Sequence, residues 1–384
     1  MDISPEALKA IQNDITQFSK SDLAELRIEN MNSSKDRMRL YKFAQGLGLT
    51  AESHFYPDST NKYFIVKKGI VEKQYDPNAL TVDFVNFFKK YTDIPIPTSH
   101  PDHFDYYVEE LDQIYSSKKW LQMICDDLKS FDASNELVRQ NIGLYKKELW
   151  RVKQQIQNVI ITNPEYIAFS KLGTSNLPPI TTLGEPYKES LVGRTLISID
   201  VRSANFQTLK HFCPGLLGGM ETWSDFVAQF TNHKFLQTSK PFRTILVNEI
   251  QNGNLNKFAI IFINDVIESV NRSDYADKLK LVCCKNDEVI YEVTGDFDMD
   301  QFIALVNSVH NFFKIKVFIM EKLDDHNYYV CTSSINNVIT YELKNVPKQH
   351  VMQVIKTYFG KPLQSLDFKY SDDSGNVVEA EAIV

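Results

Sequence analysis

Cysteine is scarce in this chain and builds no framework. The five residues Cys125, Cys213, Cys283, Cys284 and Cys331 show no paired metal spacing. Two of them are adjacent in an apolar run where core burial is expected, so a reducing compartment is favoured over a disulfide-stapled secreted fold. Glycine and proline, at 14 each, are too few for a collagen-like or low-complexity chain. Positive charge is not in excess: 42 Lys and Arg against 49 Asp and Glu leave a net charge of -7. That excludes a protein whose whole surface binds nucleic acid and leaves room for local basic patches. The longest apolar stretches, such as residues 258–263, are far too short to span a bilayer. The N-terminal MDISPEALKA has no basic segment followed by an apolar one, so no secretory signal is expected. Walker loop, nucleophile elbow, zinc pair and dinucleotide fingerprint are all missing. These absences predict a soluble intracellular protein, cytoplasmic or nuclear, neither secreted nor membrane-bound.

What remains is a chain of 384 residues, 43% hydrophobic and 12% aromatic, with room for two or three domains. Its periodicities alternate between helix and strand, which predicts an α+β fold. Residues 5–31 carry helical spacing, with Leu8, Ile11, Ile15 and Phe18 on one face and a second short run at Leu23 and Leu26. A second helix is expected from Ser33 or Ser34, with Leu40, Phe43, Ala44 and Leu47 as its apolar face, ended by Gly46 and Gly48. A short strand follows at residues 63–66. Arg37 and Tyr41 are one helical turn apart, near the surface.

Residues 33–68 resemble the R-three-H domain, a small module associated with single-stranded nucleic-acid binding. The helix, the Gly-Leu-Gly-Leu-x-x-x-Ser exit (46–53) and the closing strand with its basic end carry the likeness. The family's Arg-x-x-x-His signature stands here as Arg37-x-x-x-Tyr41. The resemblance implies that Tyr41 stacks on a base while Lys35, Arg37, Arg39 and Lys42 meet phosphates.

Further along, Phe84, Phe87, Phe88 and Tyr91 form an aromatic stripe of the kind that usually faces a core. The proline-rich IPIPTSHPDH (94–103) reads as a linker. Residues 104–161 are mainly helical, and their last helix carries Arg139, Lys146, Lys147, Arg151 and Lys153. Lys146 and Arg151 are candidates for a phosphate backbone, although a charge run of this kind is also an ordinary solvated face.

Two short stretches concentrate carboxylates. RTLISID (194–200) is a strand-like run that hands Asp200 to a helix with apolar spacing at Phe206, Leu209 and Phe212. LVCCKNDEVIYEV (281–293) is an apolar run, an Asn-Asp-Glu triplet and a second alternating run. It predicts a hairpin with Asp287 and Glu288 at its turn. Two carboxylates on a rigid hairpin suit a divalent metal; an Asp at a turn is also ordinary turn chemistry. MDQFIALVNSVHNF (299–312) is an amphipathic helix, and KIKVFIMEK (314–322) is a returning strand.

In this order the motifs resemble the palm of family A polymerases. That family's first motif is a strand ending in Asp and its second a His-Asp-Glu hairpin, closed by a helix and a strand. The basic helices upstream would stand for a thumb. The likeness implies template-dependent nucleotidyl transfer, with DNA or RNA bound, including a single-stranded portion. Asp200 and Asp287 would hold two Mg²⁺ (or Mn²⁺) ions about 3.5–4 Å apart, with Glu288 supporting them or binding the primer end. Departures are plain. The hairpin histidine is Asn286. The fingers pattern Arg-x-x-x-Lys breaks because Arg243 is followed four positions later by Val247. Lys240, Arg243 and Lys257 are the remaining candidates for triphosphate oxygens, and Asn205 stands near the family's sugar-sensing glutamate. A palm that binds nucleic acid without extending it is therefore the alternative. The expected division is a nucleic-acid-binding module (1–75), a linker with a helix (76–103), a helical thumb-like region (104–190), an antiparallel palm-like domain with short fingers (191–325) and a C-terminal αβ extension ending in an acidic mobile tail (326–384).

Overall fold

The computed structural model describes residues 4–21, 23–31, 33–47, 49–55, 62–68, 80–131, 142–174, 177–178, 184–251, 255–323, 326–335 and 338–383. The chain is mixed α+β and divides into two compact units, residues 1–76 and 77–384. Among the described residues no helix is long and apolar enough to cross a membrane.

The first unit runs α1 (Pro5–Lys20), β1 (Glu25–Ile28), α2 (Ser34–Gly46), β2 (Thr50–Phe55) and β3 (Lys62–Lys67). Ser4 starts α1 by accepting the Ala7 N–H at 3.2 Å. The strands form an antiparallel sheet in the order β1-β3-β2. Ile15 and Phe18 of α1, Leu40 and Ala44 of α2, and Phe64 and Val66 of β3 close one small core. The helical reading of residues 5–31 thus ran too far. The helix stops at Lys20, and Leu26 and Ile28, spaced by two, face the core from a strand while Leu23 is exposed. β2 lacks apolar alternation, and no strand was expected there.

The second unit begins with helices: α3 (Val82–Thr92), α4 (Pro101–Tyr115), α5 (Ser117–Lys129), α6 (Ile142–Thr162) and α7 (Pro164–Ser170). The aromatic stripe does face the core. Phe84 and Phe88 meet Phe104 edge-on at 5.8 and 5.1 Å, and Phe87 meets Tyr145 at 5.4 Å. The stretch 94–103 is packed rather than free: Ile94, Ile96 and Thr98 are buried, and Pro101 opens α4. Asp127 at the end of α5 is buried. It accepts the Tyr145 hydroxyl at 2.7 Å and the backbone N–H groups of Lys234 and Phe235 at 2.9 Å each.

After these helices come β4 (Thr195–Val201), α8 (Ala204–Phe212), α9 (Trp223–Ala228), α10 (Lys234–Thr238), α11 (Lys240–Gln251), α12 (Leu255–Phe258) and α13 (Ile260–Asn271). The chain continues through β5 (Leu279–Cys284), β6 (Glu288–Val293), α14 (Met299–Val309), β7 (Phe313–Lys322), β8 (Tyr329–Ile335) and β9 (Val338–Lys344). It ends in α15 (Val351–Tyr358), β10 (Lys369–Ser371) and β11 (Val377–Glu379). One antiparallel sheet of six strands, in the order β5-β6-β4-β7-β8-β9, organises the second unit. From β4 to β7 the connections follow a β-α-β-β-α-β order, and β8 and β9 continue the sheet past β7. The sheet therefore crosses the boundary expected at 325. The C-terminal segment is also ordered, because β10 and β11 pair and the Gln353 side chain holds the backbone of Glu381 and Ile383.

One face of the sheet is covered. Ile197, Ile199, Val201, Val289 and Tyr291 pack against Ile263 and Val266 of α13 and Phe302 and Val306 of α14. Asp298 caps α14 by accepting the Gln301 N–H at 3.0 Å. The opposite face carries a narrow apolar strip with Leu196, Ile290, Phe318 and Met320, and beside it lies the candidate site.

Candidate functional site

Alternation along β4 decides which side chains reach the uncovered face. Ile197, Ile199 and Val201 belong to the covered core, so Ser198 and Asp200 point the other way. Antiparallel register sets Asp200 opposite Glu288 on β6 and opposite Lys314 on β7. Asp287 sits in the β5–β6 turn, and its carbonyl accepts the Val201 N–H at 2.8 Å. The Lys285 N–H closes the turn on the Glu288 carbonyl at 2.7 Å. Asp287 thus stands in the turn as the sequence predicts, while Glu288 is already the first residue of β6. The hairpin and the end of β4 are pinned together by backbone, which fixes the main chain from which all three carboxylates project.

These carboxylates line one cavity of about 410 Å³. Lys240 at the start of α11, Lys285 and Lys314 share its wall with Asp200, Asp287 and Glu288. Lys316, Glu342 and Lys344 line it further across the sheet, together with Tyr187, Ser198, Phe318 and Cys331. Burial pushes the Asp200 carboxyl up to about 7, and the charges of Asp287 and Glu288 add to the push against Lys314 and Lys240. Asp287 is raised as well, by burial first and then by Glu288. Glu288 has a fixed partner: the Ser198 hydroxyl donates to it at 2.6 Å. Glu342 behaves oppositely. Burial opposes its charge, but Lys316 at 2.5 Å and Lys344 at 3.1 Å hold it down at about 2.

A divalent cation suits the acidic end. Asp200 and Asp287 are crowded oxygen donors whose repulsion a cation would relieve. Among the described residues no cluster of three or more His, Cys, Asp or Glu is arranged to hold a metal by itself. The protein would supply two carboxylates, and water and phosphate oxygens would fill the other positions, as is usual for Mg²⁺.

Other candidates fall outside this cavity. Arg243 is largely buried, and its guanidinium donates to the Ser203 hydroxyl at 3.2 Å. Ser203 is the left-handed residue (φ 57°) that turns the chain from β4 into α8. Asn205 follows that turn, with a buried side-chain oxygen that has no partner. Lys257 is exposed on α12. None of the three lines the cavity. Lys146 pairs with Asp83 at 3.1 Å. Arg151 is held by Glu148 and Gln155 at 2.5 and 2.6 Å and also donates to the Phe230 carbonyl at 3.1 Å.

In the first unit, Arg37 donates to the Met31 carbonyl at 2.7 Å and Arg39 to the buried Asp36 at 3.3 Å. Tyr41 is half-buried. Its ring meets Phe64 edge-on at 4.8 Å, and its hydroxyl bonds Ser53 at 3.2 Å. Arg37 and Tyr41, expected side by side near the surface, are both half-buried and make contacts that hold the unit together. The side chains of Lys35 and Lys42 lie outside the described residues.

Sequence reasoning missed Lys285, Lys314, Lys316, Glu342 and Lys344. The signal for two of them was present: Lys314 and Lys316 alternate with Ile315 and Val317, which places both lysines on one face of β7.

No protein-family model matches this chain. No curated protein matches it either.

Proposed function

We propose that the second unit is a divergent template-dependent nucleic-acid polymerase or nucleotidyltransferase that uses two-metal phosphoryl transfer. One observation carries this reading. Asp200, at the end of a central strand, shares a cavity with Asp287 and Glu288 of a neighbouring hairpin, and the other walls are lined with lysines. Bound Mg²⁺ or Mn²⁺ would supply Lewis-acid activation of the attacking hydroxyl and stabilise the leaving pyrophosphate. Asp200 and Asp287 would hold the ions, and both must be ionised to do so. Glu288, fixed by Ser198, orients the neighbouring groups. Lys240, Lys285 and Lys314 place positive charge where phosphate oxygens would gain it during transfer. The first unit would hold a single-stranded part of DNA or RNA.

A second reading, a palm-like protein that binds nucleic acid without extending it, draws on Arg243. That residue donates to Ser203 and does not line the cavity, so of the two cations at the start of α11 only Lys240 faces the site. Primer extension on DNA and RNA templates, with Mg²⁺ or Mn²⁺, separates the two. The wild type is expected to extend, with Asp200→Asn and Asp287→Asn at least a hundredfold slower. Template binding without extension by the wild type on any template would overturn the enzymatic reading and leave the second.

A further inference from the structure

Lys316 lies on β7 at a position where the strand goes on with Phe318 and Met320, and its side chain is only 10% exposed. It reaches past β8 to Glu342 on β9 at 2.5 Å, and Lys344 meets the same carboxylate at 3.1 Å. The pair spans the intervening strand β8 on the uncovered face, where all three side chains line the cavity. Buried ion pairs are weak sources of stability compared with apolar side chains of similar size. Their presence in the wall of an open cavity therefore calls for another account.

The charges are unequal. Two ammonium groups share one carboxylate, and each carries three N–H donors. The trio keeps a spare positive charge and spare donors beside Tyr187, whose ring lies 4.9 Å from the Lys344 ammonium. Glu342 stays ionised and Lys344 is held in its charged form by Tyr187 and Glu342 against the effect of burial. The trio is also well placed relative to the acidic end. Lys316 pairs with Ser198, two residues from Asp200. Adjacent strands and alternate residues put its Cα roughly 8 Å from that of Asp200.

We propose that Lys316 and Lys344, bridged by Glu342, form a second subsite for a phosphate group, with the Glu342 carboxylate occupying one side of it until the ligand arrives. The ligand is a phosphate carried by a nucleotide or by a nucleic-acid strand whose reacting end lies at Asp200 and Asp287. The assignment rests on the phosphoryl-transfer reading for its context, but the subsite itself needs no metal and no turnover.

The test is equilibrium binding without divalent metal, using inorganic tripolyphosphate, a nucleoside triphosphate and single-stranded oligothymidylate as separate probes. Lys316→Met and Lys344→Met are each expected to weaken binding about tenfold or more, the worth of a charge-assisted hydrogen bond. Glu342→Gln, which removes the competing charge, is expected to strengthen it several-fold. A loss with the two small probes assigns the subsite to a polyphosphate tail; a loss with the oligonucleotide alone assigns it to a backbone phosphate. Either result supports the subsite. Unchanged binding of all probes by both lysine variants, or weaker binding by Glu342→Gln, overturns it. Lys344 is more exposed than Lys316, so Lys344→Met carries the test if Lys316→Met does not fold, with circular dichroism as the check. If extension fails while these affinities behave as described, the phosphoryl-transfer reading falls and the subsite stands.

Discussion

Replacing Asp200 by asparagine should stabilise the protein while abolishing its proposed chemistry. Asparagine has the shape of the protonated acid and cannot ionise against Asp287 and Glu288. The shift of the Asp200 carboxyl from its ordinary 3.8 to about 7 means that the folded chain holds this proton more tightly than the unfolded one. The contribution of this group to stability is therefore fullest at low pH and is lost as pH rises from about 4 to about 7. Integrated, the penalty on the wild type is about 4 kcal/mol at pH 8 and about 2 kcal/mol at pH 5. Asp287 adds a penalty of the same sign, and because the acids repel one another the protons leave as a coupled set. Urea denaturation of wild type and Asp200→Asn at both pH values reads the difference. The variant should be more stable, by clearly more at pH 8 than at pH 5. Adding Mg²⁺ at a hundred times its dissociation constant should restore about 2.7 kcal/mol to the wild type at pH 8, and much less to Asp200→Asn. A variant that is equally or less stable at pH 8, or a gap that does not change with pH, would refute the argument that repulsion among these carboxylates is stored in the fold.

Three further outcomes follow from contacts away from the cavity. Asp127→Ala removes the acceptor for Tyr145 and for two backbone N–H groups of α10. It should cost about 3 kcal/mol or more in denaturant unfolding, without changing Mg²⁺ affinity. In the first unit, Tyr41→Ala should destabilise by about 2–4 kcal/mol through lost packing on Phe64, so weaker single-strand binding by that variant would not identify a stacking residue. Tyr41→Phe keeps the ring, and Arg39→Ala, at a half-exposed side chain, removes one cation. Single-strand affinity of these two variants, read by fluorescence anisotropy, should fall for Arg39→Ala and hold for Tyr41→Phe.

The parts of the site that could be read from sequence were those in which chemistry and periodicity coincide. The run ending in Asp200, the Asn286-Asp287-Glu288 hairpin, α14 and β7 each show their period within about ten residues, and all stand where their patterns put them. β1 was lost because four residues cannot show a period against a preceding helix. β2 was lost because TAESHF does not alternate. The lysines were passed over for a different reason. A lysine on a strand reads as solvent-facing, and only the pairing of β7 through β8 to β9 brings Lys316 to Glu342. Arg243 shows the converse, because the likeness to a fingers helix offered it as a triphosphate ligand. Its guanidinium instead holds Ser203 in the turn after β4, a tertiary contact that no local pattern announces.

The pairing of β4 with β7 also constrains how this chain can change length. Only His310, Asn311 and Phe312 separate α14 from β7. A one-residue change carried into β7, rather than absorbed by so short a link, would shift the strand by a single position and reverse every side chain on it. Phe313, Ile315 and Val317 would then face the cavity, and Lys314 and Lys316 would be driven among the apolar side chains of α13 and α14. The link is thus a ruler for the site. Relatives that retain the chemistry should keep it at three residues even where their surface loops differ freely.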